Sequence, residues 1–578
     1  MPIAEPRTVD QLMLRHESSL DSLQVPIRNI VLMIRDHVPE TANAFAKRYS
    51  GARIHILGTE PLLTKEQTQE LLPQVTFKHA SSERDRADYL LRAPRPQVII
   101  EAGNRKRAHK VSSLREFLFF VAPKGIYIAD ELQFVGDPNY DNEAGPNVLD
   151  VLTEVAQARA LQGIMRRELP QKVAALARAV ESITFNANSA TVHRNSDKYL
   201  LKVREWEADS VLAAHCHSSR HTVIERRPAY EYESRASVLS HGDGPIAPGA
   251  KRFNIPERVI RRYKNVICTA QQVARIDDFL LPDSWRHPHQ RVLYNRQLEK
   301  SATYADRYTP TAEPTIERNL AGSYFYLDTE VPGHFGHVTT EVLSRMWAWD
   351  LVKMRDPAAR VLVSLASQDR ALPEFQTAIF GALDISLDQI ETIAPDEAVT
   401  VETLYGATPQ LENPYYIDPD ITRTWQRLAE NLPAGSEHTS EKIFISRKNN
   451  GNRHCLQTAE IEEFFSCIGF TILFPEDHPY VTQTQIFRHA KIIAGFGGSG
   501  LFNMMFAPSA KVLVISGDSY DAQNEHLIAG ANGNEIHYFW GSSLVSRPLS
   551  GRFSLPAFMS DFNFNLGRFR DDLLQSIG

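Results

Sequence analysis

Two stretches of the chain hold residues whose types and spacing suit group transfer. The first is PGHFGHVTTEVLSRMWAWD, residues 332–350. His337, Glu341 and Arg345 recur every fourth residue, so on a helix they share one face, and His334 lies one turn before His337. Val338, Val342, Met346 and Trp349 follow the spacing of an apolar face. A histidine paired with a carboxylate near a helix start suits proton transfer. The same pattern fits a capped helix with an ordinary ion pair. A metal site from His334, His337 and Glu341 would need a further ligand cluster, and none stands out in the sequence.

The second stretch is FGGSGLFN, residues 496–503. Gly495, Gly497, Gly498 and Gly500 crowd the junction between an expected strand and an expected helix. Glycine allows positive φ and close backbone approach. At such junctions a phosphate often meets backbone N–H groups and a helix N-terminus. A tight turn without a ligand has the same composition. Two more polar signals end neighbouring strands: Arg447 after KIFIS, and Ser516 with Asp518 after KVLVI. A guanidinium bonds phosphate in planar, bidentate fashion, and Lys448 and Arg453 add charge. Ligands of doubly wound sheets bind beyond the carboxyl ends of the strands, so this convergence favours a diphosphate over a bare turn. Asp418 and Asp420 have the Asp-x-Asp spacing of metal-dependent transferases, a weak three-residue match in a proline-rich loop.

Strand-like runs alternate with helical patterns along nearly the whole chain. The fold class expected is α/β with parallel sheets. From 442 to 515 the order is KIFISR strand, QTAEIEEFFSCIG helix, FTILF strand, VTQTQIFRHA helix, KIIAGF strand, SGLFNMMFA helix and KVLVI strand. Thr482 and Gln485 have capping-box spacing. Residues 1–205 read as a separate α/β domain. Residues 206–250 are polar and read as a linker or crossing segment. Residues 251–430 and 431–578 follow as two further subdomains, with a break near 421–440.

The 578 residues suggest about three or four domains. Hydrophobic and charged contents of 43% and 23% are those of a globular protein in water, and the net charge of −7 gives no basic excess for nucleic acid. Four scattered cysteines without a CxxC pair fit a reducing compartment and no zinc cluster. The amino terminus lacks the apolar core of a signal peptide, and no apolar run is long enough to span a bilayer. A cytoplasmic location is expected, with peripheral membrane contact left open.

KIFISR, QIFRHAKIIAGFGGSGLFNMMF and the upstream HFGHVTTEVLSRMW resemble the signatures of glycosyltransferase family 61. LLPDSWRH, residues 280–287, resembles a segment ahead of them, and the resemblance covers about 255–545. It implies a GT-B architecture of two Rossmann-like halves. It also implies inverting sugar transfer from a nucleotide donor, usually a UDP-sugar, without an obligatory metal. Arg447 and the loop Gly498, Ser499, Gly500 to Asn503 would hold the diphosphate, with Lys448, Arg453 and Gly497 beside them. His337, Glu341 and His334 would line the cleft. Many members carry His in place of Gly497 and Asn in place of His334. The acceptor would be a glycan or lipid-linked glycan of a capsule or another cell-surface polysaccharide. Competing readings are a non-catalytic carbohydrate-assembly scaffold and a different GT-B enzyme such as a phosphorylase.

RPQVIIEAGNRKRAHKVSSLREFLFFVAPKGIYIADEL resembles the later part of a class I S-adenosylmethionine methyltransferase. The cofactor loop of that family should follow IRNIVLM, yet residues 33–37 read MIRDH with no Gly-x-Gly. Glu60 stands where the acidic ribose contact would be. A bulky, charged loop obstructs close approach of a cofactor. The expectation is a degenerate methyltransferase-like domain, against the alternative of an active methyltransferase whose carboxy-terminal half binds glycan.

Overall fold

Short runs of Ile, Val and Leu, flanked by polar turns, become buried parallel strands, as sheets covered on both faces require. The computed structural model describes residues 11–58, 63–103, 105–137, 144–160, 171–246, 251–299, 307–310, 312–368, 371–433, 440–448, 452–548 and 553–578. The chain divides into two units: residues 1–218, 276–282 and 290–314 in the first, and 219–275, 283–289 and 315–578 in the second.

The first unit holds a seven-stranded sheet in the spatial order Val75–His79, Arg53–Gly58, Asn29–Met33, Val98–Glu101, Ile126–Ala129, Ser189–Arg194, Val180–Asn186. The first five strands are parallel. The last two return antiparallel. Ile30, Leu32, Ile54, Ile56, Val98, Ile100, Ile126 and Ile128 are fully buried. This is the doubly wound sheet expected of a methyltransferase-like domain. At the carboxyl ends of its central strands the protein's own side chains meet. Arg105 lies 3.9 Å from Asp36 and 3.4 Å from Glu131. Lys110 and Glu101 form a buried pair at 2.6 Å. A Cβ on Gly103 would fall 3.0 Å from the Met33 carbonyl oxygen. Glu60 lies outside the described residues.

The second unit has two large sheets, and a core between them runs from Phe325, Val361 and Trp349 to Ile443, Ile493 and Leu501. One sheet is mixed. Strand Arg258–Thr269 pairs antiparallel with Val273–Ile276, Ala398–Ala407 and His221–Arg227. Arg318–Tyr326, Arg360–Ser364 and Ile390–Ile393 continue from Ala398–Ala407 in parallel. A uniformly Rossmann-like half was expected here. Residues 270–272 are too few for a crossover, so the two strands they join must be antiparallel.

The other sheet is parallel throughout its six main strands: Ser237–His241, Glu535–Ser543, Lys511–Gly517, Ile492–Phe496, Lys442–Ile445, Thr471–Leu473. Its edge strand Ser237–His241 comes from the stretch read as a linker. That stretch also folds into helix Ala208–His215 and strands His221–Arg227 and Tyr230–Glu233. Their side chains are mostly half-buried or exposed, which gave them a polar, loop-like sequence. Helix Tyr480–His489 starts at Pro479 with no side-chain cap, so Thr482 and Gln485 form no capping box. Gln485 instead donates to the Pro433 carbonyl.

Candidate active site

The helical stretch after His334 changes pitch three times: an α turn Phe335–His337, a π turn Val338–Val342 and a 3-10 segment Leu343–Ala348, before helix Trp349–Arg355. Irregular turns of this kind are common at functional sites. His337 and Glu341 still meet, with Nδ1 and Oε1 2.7 Å apart. Arg286 Nε approaches the same oxygen at 2.7 Å. Thr329 donates to Oε2, also at 2.7 Å. Burial alone would raise the Glu341 carboxyl. Arg286, His337 and Thr329 outweigh it and hold the group far below the usual carboxylate range. An ionised carboxylate only accepts hydrogen bonds, so His337 Nδ1 carries the proton and Nε2 is the basic nitrogen. Arg345 shares the face in sequence but donates to the Glu341 carbonyl at 2.9 Å, not to its carboxylate.

His334 packs edge-on to His337 with ring centres 5.0 Å apart. Burial lowers its pKa first, and the positive charges of Arg453 and Arg286 act in the same direction. A Cβ on Gly336 would meet Ser499 Cβ at 3.1 Å and Phe502 at 3.3 Å. The histidine-bearing turn thus rests directly on the glycine loop, and both sequence constellations form one site.

The loop glycines answer to steric crowding from the protein itself. Gly495 leaves room for the Ile445 carbonyl, 2.6 Å from where a Cβ would stand, and Gly497 for Ser516. Gly498 has φ +139, and its Cβ would lie 2.3 Å from Arg447 Nη2. Arg447 donates to the Gly497 carbonyl at 2.7 Å. Burial, with Arg453 beside it, brings Arg447 down to about 10, so it stays charged at neutral pH. Arg453 lies over the rings of Tyr520 and Phe558, 5.2 and 5.1 Å from their centres, and its Nε is buried without a partner. Among the described residues neither Arg447 nor Arg453 forms an ion pair with a carboxylate.

The remaining predicted residues are placed differently. Lys448 is exposed and paired with Asp477. Asn503 is fully buried, and its Nδ2 donates to Gln483 at 2.9 Å, a contact inside the fold. Ser499 and Gly500 stand at the loop surface, half-buried. Asp518 accepts from the Ser543 amide at 3.1 Å. Asp418 and Asp420 face Arg258, at 2.5 and 3.7 Å, and Tyr230 donates to Asp418. That pairing removes the Asp-x-Asp metal reading. Among the described residues no group of three His, Cys, Asp or Glu is placed to hold a metal ion. Sequence reasoning missed Arg286, Thr329, Tyr520 and Glu525. Arg286 lies in LLPDSWRH, a stretch that had already drawn attention.

Residues 335–514 match the family model described as Glycosyltransferase 61. The match encloses His337, Glu341, Arg447, Arg453 and the whole glycine loop. The match covers under a third of the chain, and this segment is similar to glycosyltransferase family 61. Arg286, Thr329 of the Glu341 cluster and His334 lie ahead of the first matched residue. No curated protein matches the chain. Among solved structures it is similar to the MycE methyltransferase from the mycinamycin biosynthetic pathway. The complex with Mg and SAH shares 13% identity at a TM-score of 0.27, over 33% of this chain and 55% of that chain. The complex with Mg, SAH and mycinamycin VI shares 14% at the same TM-score and coverage. The alignment thus spans about half the length of those structures.

Proposed function

We propose that the protein is an inverting glycosyltransferase that takes its sugar from a nucleotide-sugar donor, with a UDP-sugar first among the candidates. The observation that carries this reading is the pair Arg447 and Arg453. Two adjacent guanidiniums, neither ion-paired among the described residues, sit at the end of a strand beside a glycine loop. Like charges placed together call for an anion, and a diphosphate leaving group supplies two negative charges in the right place. Its charge grows as the glycosidic bond breaks, so these arginines bind the transition state more tightly than the ground state. They can do this without a metal.

His337 Nε2 is the base for the acceptor hydroxyl. Glu341 is too acidic to take that proton. It fixes the His337 tautomer and stabilises the imidazolium that forms, as the carboxylate of a hydrolase triad does. Arg286 and Thr329 hold Glu341 in turn. Under this reading residues 251–430 serve the acceptor and residues 431–578 the donor, as in a GT-B enzyme. The acceptor is a glycan or lipid-linked glycan destined for the cell surface. Such a lipid would be met from a cytoplasmic location by peripheral contact; among the described residues no helix is long and apolar enough to cross a membrane.

The test is a thermal-shift screen against nucleotides and nucleotide sugars, followed by titration calorimetry with the best ligand. Saturation at 100 times the dissociation constant stabilises by about 2.7 kcal/mol. Arg447→Ala should weaken nucleotide binding by roughly 1.5–3 kcal/mol, the scale of a charge-assisted hydrogen bond. Parent-like affinity in that variant would show that the anion site is elsewhere.

A further inference from the structure

We infer that Glu525 is a positioning residue for the donor-binding arginines, acting through the peptide bond between Gly497 and Gly498. The inference rests on the donor site proposed above. That peptide is gripped at both ends. Its carbonyl accepts from Arg447 Nη2 at 2.7 Å. Its N–H donates to Glu525 Oε1 at 2.7 Å. Glu525 is fully buried on helix Asn524–Asn532, and Tyr520 donates its hydroxyl to the same carboxylate at 3.0 Å.

Local preference alone does not fix this peptide plane. Both flanking residues are glycines, and Gly498 at φ +139 and ψ −173 occupies a region open essentially to glycine. With the Glu525 contact removed, the plane is free to rotate, and the carbonyl that seats Arg447 turns with it. Tyr520 adds a second link. Its ring lies under the Arg453 guanidinium at 5.2 Å, while its hydroxyl is held by Glu525. One buried carboxyl therefore sets the peptide that seats Arg447 and the ring that seats Arg453. Arg447, seated at one edge, keeps its other N–H groups for the ligand. The Gly498 amide is already donated to Glu525, so guanidiniums rather than that amide meet the diphosphate.

The experiment is titration calorimetry of the full chain with UDP. Glu525→Gln keeps an acceptor oxygen for Gly498 and should bind UDP within about threefold of the parent. Glu525→Leu should weaken binding about tenfold, the scale of one lost hydrogen bond. Tyr520→Phe should also weaken it, with a melting temperature near the parent's, and covers the case in which Glu525→Leu does not fold. The decisive comparison is the double variant. If Glu525 acts through Arg447, Glu525→Leu should cost little more in an Arg447→Ala background, so the two losses should not add. Full additivity, or parent-like affinity in both Glu525→Leu and Tyr520→Phe, would overturn the inference while leaving the donor site standing. A parent protein that binds UDP no better than Arg447→Ala would overturn the donor-site reading, and this inference with it.

Discussion

Glu341 is the most heavily committed side chain of the site, with Arg286, His337 and Thr329 all directed at its two oxygens. Its folded-state pKa lies below the unfolded value of about 4.5. A depressed carboxyl contributes stability that is fully present above the unfolded value and is lost as the pH falls toward the folded one. The part of the parent's stability advantage over Glu341→Gln that comes from this depressed carboxyl should therefore shrink as the pH falls below about 4.5. Thermal denaturation of both proteins across this range measures it, and a gap that widens on acidification would contradict the arrangement. The same variant should keep nucleotide affinity and lose sugar transfer, because Gln leaves the His337 imidazolium without its counter-charge. The pairing of His337 with Glu341 was legible in sequence because it is local, four residues apart, and it survives the π turn. Arg286 was not legible as a partner. It arrives from a distant segment, and no spacing rule connects it to Glu341.

Among the elements, the glycine loop and the helix Asn524–Asn532 behind it form one device. The order of strands and helices from 442 to 517 followed directly from alternating apolar runs. The function of the glycines did not. A glycine that admits a ligand and one that admits Arg447 look the same in sequence, and only the 2.3 Å approach at Gly498 separates them. Gly498→Ala should accordingly lose both stability and nucleotide affinity, since the backbone strain and the clash with Arg447 act together. Melting temperature and calorimetry on one preparation test this, and loss of affinity with unchanged stability would speak against it. The same helix carries His526, buried, with burial first and Lys251 second bringing its pKa down to about 4. Between that value and the usual 6.5 the unfolded chain binds the extra proton, so stability should fall as the pH drops through this window, by roughly 3 kcal/mol in all. His526→Leu should flatten the loss between pH 6.5 and 4, read by denaturant unfolding at fixed temperature.

At the scale of the molecule, the two units answer to different tests. In the first, Asp36, Arg105 and Glu131 bridge the strand ends where a methyltransferase-like fold would take its cofactor. S-adenosylmethionine is expected not to bind, and micromolar affinity in calorimetric titration would refute that. The sequence reading placed a linker over residues 206–250, ahead of two further subdomains. The strands of residues 219–250 belong to the second unit. Polar outward faces hid them, because a strand at the rim of a sheet needs little apolar pattern. A fragment of residues 219–578 should thus give more soluble protein than one of residues 251–578, which leaves Glu535–Ser543 with a bare edge. Ser237–His241 pairs with a strand roughly 300 residues further on, which at about 5–20 residues per second emerges from a ribosome some 15–60 s later. Throughout that interval the nascent chain carries an edge with no partner yet in existence. Its assembly in a cell depends on whatever shields that edge from other chains until Glu535–Ser543 has been made.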